Sequence, residues 1–297
     1  MFLQKLYQKA FLSKCFFTIA IRKKNGGIRQ EKIFRPEFVM PANRNFWAAD
    51  PILVDHEGKT WLFYEAVEYD RGHIAVAEVR EDCTLGQPSV ILKDEIHYSY
   101  PFVFRRGENW FMIPESSEAR EVRLYRAVDF PISWEQTAVL LRERAVDTTV
   151  FEQNGHSYLL TYLTDGTSER VTPKAYEMFW EDDGVRLSEI PWRNYDPLRV
   201  RGAGPLVQEK GSLLRPAQIS QEQRYGDAVA FYRVQMGETY RETPEFELTS
   251  DDVKVSGIFT DGLHTYCASE GFEAIDLRCR EFDARKPIRR VMDALRK

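Results

Sequence analysis

Asp50 and Asp147 each stand at the head of a short apolar run, Ala49-Asp50-Pro51-Ile52-Leu53-Val54 and Val146-Asp147-Thr148-Thr149-Val150-Phe151. Two carboxyl groups facing one cleft can flank a glycosidic bond, one protonating the leaving oxygen while the other activates water or attacks the sugar. Asp also caps strand corners, so spacing alone leaves a catalytic pair and a pair of turn residues both open. Glu65 and Glu115 end or follow aromatic runs and can reach the same cleft. Arg215 and Gln218 lie in the apolar stretch Leu213-Leu214-Arg215-Pro216-Ala217-Gln218. A buried guanidinium there needs a carboxylate or an anionic ligand, and Asp50 or Asp147 is the expected partner. His97 and His264 stand beside the same segments, as structural residues or as proton carriers. Trp47 and Tyr100 offer flat faces on which a sugar ring can stack. Five histidines without a close pair argue against a catalytic zinc site, and no metal or cofactor is expected.

These residues recur with a period. After the two Asp segments come Ser99-Tyr100-Pro101-Phe102-Val103-Phe104, Ala203-Gly204-Pro205-Leu206-Val207 and a weaker copy, Val255-Ser256-Gly257-Ile258-Phe259. Each leads to a polar turn containing glycine and then an apolar or aromatic run. Gly58 precedes Trp61-Leu62-Phe63-Tyr64, Gly107 precedes Trp110-Phe111-Met112-Ile113, Asn154-Gly155 precedes Tyr158-Leu159-Leu160, and Lys210-Gly211 precedes Leu213-Leu214. Asp261-Gly262 is assigned the same part before His264-Thr265-Tyr266. A glycine turn between two β-rich runs is a hairpin signal. Third strands follow at Ile74–Ala77 and Val122–Tyr125. Five such units of about fifty residues predict an all-β fold, a five-bladed β-propeller, rather than a sandwich. The first strand of each blade lines the channel, so Asp50, Tyr100, Asp147, Gly204 and the region of Gly257 should converge at one mouth.

Residues 1–297 are read as one propeller domain with short helices at both termini. Phe2, Leu3, Leu6, Tyr7, Ala10 and Phe11 fall on one helical face. Residues 1–30 hold seven Lys or Arg and no acidic residue, and combine this basic helix with a strand, Phe16 to Ile21, expected to pair with the last blade and close the ring. A C-terminal helix is expected over 284–297, from Pro287 and the stripe Ile288, Val291, Met292, Leu295. Basic amphipathic helices can pack on the rim or lie on an anionic membrane surface, which allows peripheral contact with the inner face of a membrane. The net charge of −5 argues against a nucleic-acid partner. Scattered Cys15, Cys83, Cys267 and Cys279, the absence of a clean signal peptide and the lack of a spanning apolar run point to the cytoplasm.

Ala49-Asp50-Pro51, Val146-Asp147-Thr148-Thr149 with Asn154-Gly155, and Ala203-Gly204-Pro205 resemble blade motifs of glycoside hydrolase family 43 and its five-bladed relatives. The resemblance implies Asp50 as general base and Asp147 as the group that orients and tunes. It places the general acid at 203, where this chain has alanine. Glu115 is the preferred substitute acid and Glu242 the alternative. A closer resemblance covers most of the chain through Trp47-Ala48-Ala49-Asp50-Pro51, Leu62-Phe63-Tyr64-Glu65, His97-Tyr98-Ser99-Tyr100-Pro101, Pro114-Glu115-Ser116, Leu214-Arg215-Pro216-Ala217-Gln218, Tyr225-Gly226 and Gly262-Leu263-His264-Thr265. These are similar to the propeller found N-terminal to the catalytic part of glucosamine inositolphosphorylceramide transferases, and in bacterial proteins associated with surface-polysaccharide synthesis. That likeness implies a saccharide or glycolipid ligand and a glycosyltransferase partner; the candidate substrate-binding residues are Trp47, Glu65, His97, Tyr100, Arg215, Gln218, Tyr225 and His264. Two function classes follow. One is an enzyme of glycosidic-bond hydrolysis or transfer, and the other a non-catalytic module that positions an acceptor sugar for a partner transferase.

Overall fold

In the computed structural model of the chain, residues 11–12, 15–167, 169–182, 184–221 and 224–288 are described. They form five antiparallel sheets. The first blade runs Phe46–His56, Lys59–Glu68, Arg71–Val79, Ser89–Leu92, and the second Ser99–Arg106, Asn109–Glu115, Val122–Asp129, Ser133–Leu141. The third is Ala145–Gln153, His156–Leu163, Thr172–Glu181, Gly184–Ile190, and the fourth Val207–Glu209, Ser212–Gln221, Arg224–Gln235, Arg241–Thr249. The fifth is assembled from both ends of the chain. Phe16–Lys23 pairs along its length with Phe272–Arg280, from Phe16↔Cys279 to Lys23↔Phe272. That pairing closes the ring and removes an open sheet edge, as expected from the apolar run.

The hairpin turns follow from the local sequence. Asn154 and Gly155 both have positive φ, 53° and 80°, the conformation of the two-residue turn whose twist matches that of its flanking strands. Apolar side chains interdigitate between neighbouring blades. One cluster joins Ile52, Phe63 and Ile74 of the first blade to Val103, Met112 and Tyr125 of the second.

Two expectations need correction. Short terminal helices are not borne out among the described residues: beyond the two short 3-10 turns at Ser117–Ala119 and Ser250–Asp252, helical backbone there is confined to Phe11 and to residues 286–288. Positions 1–10 and 289–297, where the expected helices mostly fall, lie outside the described residues. The fifth blade is also shifted from the expected register. Asp261-Gly262 is not its hairpin turn but the end of a strand, Phe259–Gly262, paired with one end of Phe272–Arg280. The inner strand beside the channel is Tyr266–Ala268, and the turn is Ser269–Gly271. Electrostatics explains the shift: Asp261 accepts from Arg278 Nε at 2.7 Å, which ties it into the sheet. His264 and Thr265, not the Gly257 region, therefore occupy the fifth place at the mouth.

Candidate functional site

Three inner strands reach the channel mouth through the same backbone irregularity. Asp50, Tyr100 and Asp147 have φ of 52°, 42° and 50°, and Gly204 has 124°. In the first three blades the pairing register breaks at that residue, between Ala49 and Ile52, Ser99 and Phe102, and Val146 and Thr149. Such bulges re-aim side chains and are frequent beside active sites. Here they turn each side chain towards a neighbouring blade. The Tyr100 amide donates to Asp50 Oδ2 at 3.1 Å, and the Tyr100 hydroxyl meets Thr149 Oγ1 at 2.9 Å and accepts from the Gly204 amide at 2.9 Å. The Tyr100 ring is wholly buried, so the expected stacking platform is a structural post.

Asp50, from the first blade, packs against the fifth. Its Oδ1 accepts from Thr265 Oγ1 at 2.9 Å, and its amide donates to Asp276 Oδ2 at 3.1 Å. Asp276 is the anchor of this side. Its Oδ1 receives the amides of His264 and Thr265, each at 2.9 Å, and its Oδ2 lies 2.6 Å from His264 Nδ1. His264 pulls the Asp276 pKa down against the effect of burial, and Asp276 in turn raises that of His264. Burial pushes Asp50 up to about 8; nearby Glu65, Asp276 and Asp147 add to this, while His264 opposes it. A carboxyl group held that high gives up its proton reluctantly, which fits poorly with the general base that the resemblance implies. Asp50, His264 and Asp276 can each point one ligand atom at a common cation. The N–H donors already crowded onto Asp276 would have to be displaced first.

On the opposite side, Arg201 joins the fourth blade to the second and third. Its Nε donates to Asp147 Oδ2, and its Nη2 lies 3.6 Å from Glu115 Oε2. Gln218 Nε2 adds a bond to Asp147 at 3.3 Å and one to the Gly202 carbonyl at 2.7 Å. Gly202 permits this approach, because a Cβ there would lie 3.0 Å from both the Cβ and the carbonyl oxygen of Asp147. Glu115 Oε1 accepts from Ser117 Oγ at 3.0 Å, while Oε2 is buried without a hydrogen-bonding partner. Burial and the charge of Asp147 raise the Glu115 pKa to about 7, although Arg201 pulls the other way. A carboxyl group poised there can donate or accept at neutral pH. Tyr225 presents its ring to Arg201, with the guanidinium carbon 5.0 Å from the ring centre.

Glu65 and His97 complete the mouth. His97 Nδ1 accepts from the Gly72 amide at 3.0 Å, which leaves its proton on Nε2, 2.8 Å from Glu65 Oε1. Trp47 stands further out, its ring 5.8 Å from that of Phe17.

The structure thus gathers Asp50, Asp147, Glu115, Glu65, His97, Gln218, Tyr225 and His264. It separates Arg215 and Glu242 from them, and the expected pairing of Arg215 with Asp50 or Asp147 is corrected. Arg215 holds both oxygens of Glu242 at 2.8 Å, together with the Tyr162 hydroxyl and the Val200 carbonyl. Glu242 also receives the Tyr240 hydroxyl, so this candidate acid belongs to a saturated structural cluster. Ala203 is fully buried in an apolar cluster with Leu214, Phe231 and Tyr266. Sequence reasoning missed Arg201 and Asp276. Arg201 had a usable signal, a cation two residues before Ala203-Gly204-Pro205 in a glycine-flanked lead-in.

Residues 38–256 match the family described as "Glucosamine inositolphosphorylceramide transferase 1, N-terminal". A relative from Arabidopsis thaliana, glucosamine inositolphosphorylceramide transferase 1, is 35% identical over 214 residues, covering 68% of this chain and 27% of its own length. The chain thus spans little more than a quarter of the curated relatives it matches. Among solved structures, β-1,2-mannobiose phosphorylase from Listeria innocua superposes with a TM-score of 0.56 at 12% identity, over 88% of this chain and 96% of that one. CoXyl43, a family 43 β-xylosidase/α-arabinofuranosidase from a compost microbial metagenome, gives 0.53 at 11% identity, over 82% and 92%. These likenesses establish the five-bladed fold.

Proposed function

Since the chain belongs to the glucosamine inositolphosphorylceramide transferase 1 N-terminal family, we propose that its channel mouth recognises a saccharide, free or as a glycolipid head group, and presents it to a transferase without cleaving it. The observation that carries this reading is Glu115 with its buried, unpartnered Oε2 beside Arg201. A sugar hydroxyl at that oxygen supplies the missing hydrogen bond, Arg201 offers N–H donors, and the Tyr225 ring gives an apolar wall. The names of the plant relatives, which couple a sugar to an inositol phospholipid in one transferase, support the ligand class. Against hydrolysis stand the raised pKa and full engagement of Asp50 and the apolar setting of Ala203.

One observation favours a second reading. A Glu115 pKa of about 7 is the tuning expected of a general acid. The two readings separate in a paired experiment: a glycan array, and turnover of nitrophenyl and unactivated glycosides, with wild type, Arg201→Met and Glu115→Gln. Recognition without cleavage predicts array binding that Arg201→Met removes and no product above background. Turnover of an unactivated glycoside that Glu115→Gln abolishes overturns it in favour of the enzyme. Neither binding nor turnover rejects both.

A further inference from the structure

Outside the channel, a second concavity lies where the first blade meets the outer strands of the fifth. Its volume is about 230 Å³, and its walls include Phe46, Trp47, Tyr64, His73, Glu68 and Met40. Three features set it apart from an ordinary surface dimple. Phe46 is 43% exposed, a large apolar ring facing solvent, and it packs edge-on against the exposed Tyr69 at 5.0 Å. His73 is only 7% exposed, yet its Nδ1 makes no hydrogen bond. Burial and the nearby Lys93 and His97 lower its pKa, opposed by Glu68 and the Arg71 backbone, which favours the neutral ring with one nitrogen as acceptor. Tyr64 is 5% exposed and has a pKa pushed up to about 12 by burial. A buried imidazole acceptor is costly to leave unmatched, and a ligand carrying hydroxyl groups matches it.

We propose that this cleft is a second saccharide site, taking one sugar ring with an apolar face against Trp47 and hydroxyls on His73, Tyr64 and Glu68. The mixture of aromatic wall and convergent polar groups fits a sugar better than a hydrocarbon chain, which would strand the polar groups. The size fits one ring, since pockets for drug-sized ligands start near ~300 Å³. The site stands independently of the channel. The two are nevertheless neighbours, because Phe17 contacts Trp47 at 5.8 Å on one side and Tyr225 and His264 at 6.0 and 4.3 Å on the other.

The test uses the full chain and saturation-transfer NMR with glucose, mannose, galactose, glucosamine and N-acetylglucosamine. At least one should bind with a Kd of about 1–10 mM, the range of a single small ligand with few contacts. His73→Phe keeps the volume and removes the acceptor, and Phe46→Ala removes an exposed wall with little risk to folding. Both should weaken that binding at least fivefold. If His73→Phe fails to fold, Phe46→Ala decides alone. The proposal is overturned if none of the five sugars binds, or if Phe46→Ala binds as wild type does. It is overturned equally if Arg201→Met removes the signal while His73→Phe leaves it, which puts the sugar in the channel. Displacement by octyl tetraethylene glycol as effective as by octyl glucoside assigns the cleft to an alkyl chain and also refutes it.

Discussion

Replacing Glu115 by glutamine should stabilise the protein at alkaline pH and do much less in acid. Glu115 titrates near 7 in the fold against an ordinary 4.5, mainly because it is buried, with the charge of Asp147 next in importance. Between those two pH values the folded state holds a proton that the unfolded chain has lost, so stability falls as pH rises through this window. A shift of about 2.5 units at 1.36 kcal/mol each gives a penalty of roughly 3 kcal/mol once pH exceeds 7. At pH 5 the same two pKa values leave under ~1 kcal/mol. Glutamine resembles the protonated side chain in shape and carries no charge, so it escapes the penalty. For a domain of this size ~1 kcal/mol moves Tm by about 2 °C. The expected gain is therefore about 5 °C at pH 8 and about 1 °C at pH 5, read by differential scanning calorimetry in matched buffers. A Tm for Glu115→Gln that is unchanged or lower at pH 8, or a gain independent of pH, refutes the assignment of a charge-strained carboxyl at the mouth. Removal of a stabilising salt bridge with Arg201 would give the opposite sign, so the experiment also separates a functional carboxyl from a structural one.

Two further outcomes follow from the clusters around the mouth. Arg215→Met leaves Glu242 with its charge uncompensated and should cost about 3–5 kcal/mol in chemical denaturation; the double change Arg215→Met/Glu242→Met should recover most of it, and retention of full stability by the single variant would show that the pair is idle. Ala203→Glu buries a carboxylate among Leu214, Phe231 and Tyr266, so it should abolish soluble expression or cost several kcal/mol, and a stable variant that gains hydrolysis of unactivated glycosides would show that position 203 still opens onto the site.

The blades were legible because their signals are local. Glycine at a two-residue turn and apolar or aromatic strands on either side need only neighbours in sequence, and four of the five copies carry them intact. The fifth was misread because its inner strand is divided and because Asp261-Gly262 imitates a turn while its carboxylate is committed to Arg278. Asp50 and Asp147 could be picked out because strand corners announce themselves. Their protonation could not, since it depends on burial by segments far away in sequence. Asp276 was invisible for a related reason: it meets His264 and Thr265 only once the misread fifth-blade hairpin forms, and Asp50 only across the closed ring. Arg201 takes the place at the mouth that was expected of Arg215. Arg215 pairs across the sheet with Tyr232, and Tyr232 with Pro244 on the next strand, so its side chain follows the fourth blade outward to Glu242. Arg201 precedes that blade and is free to cross the mouth.

The four left-handed residues explain how such a mouth can change its chemistry without changing its shape. A non-glycine residue in that region costs about 1–2 kcal/mol, and Asp50, Tyr100 and Asp147 all bear it. In the first two blades the bond that offsets the cost is the same one, Asp50 Oδ2 receiving the Tyr100 amide. In the fourth, glycine is required outright, because a Cβ on Gly204 would lie 2.0 Å from the Tyr266 carbonyl oxygen. The backbone is thus held by neighbouring blades and by Tyr100, which bonds to both Thr149 and Gly204. None of these bonds involves a side chain at 203, and Glu115 contributes only one oxygen to a local serine. Loss of an acid at 203 therefore leaves the mouth intact. What remains is a ring of carboxyl groups held apart by Arg201 and His264, with one oxygen, Glu115 Oε2, still lacking a partner. A sugar hydroxyl can donate to that oxygen, whereas hydrolysis needs a base opposite it. Burial and the neighbouring carboxyl groups, which raise Asp50 to about 8, bear against its serving as that base.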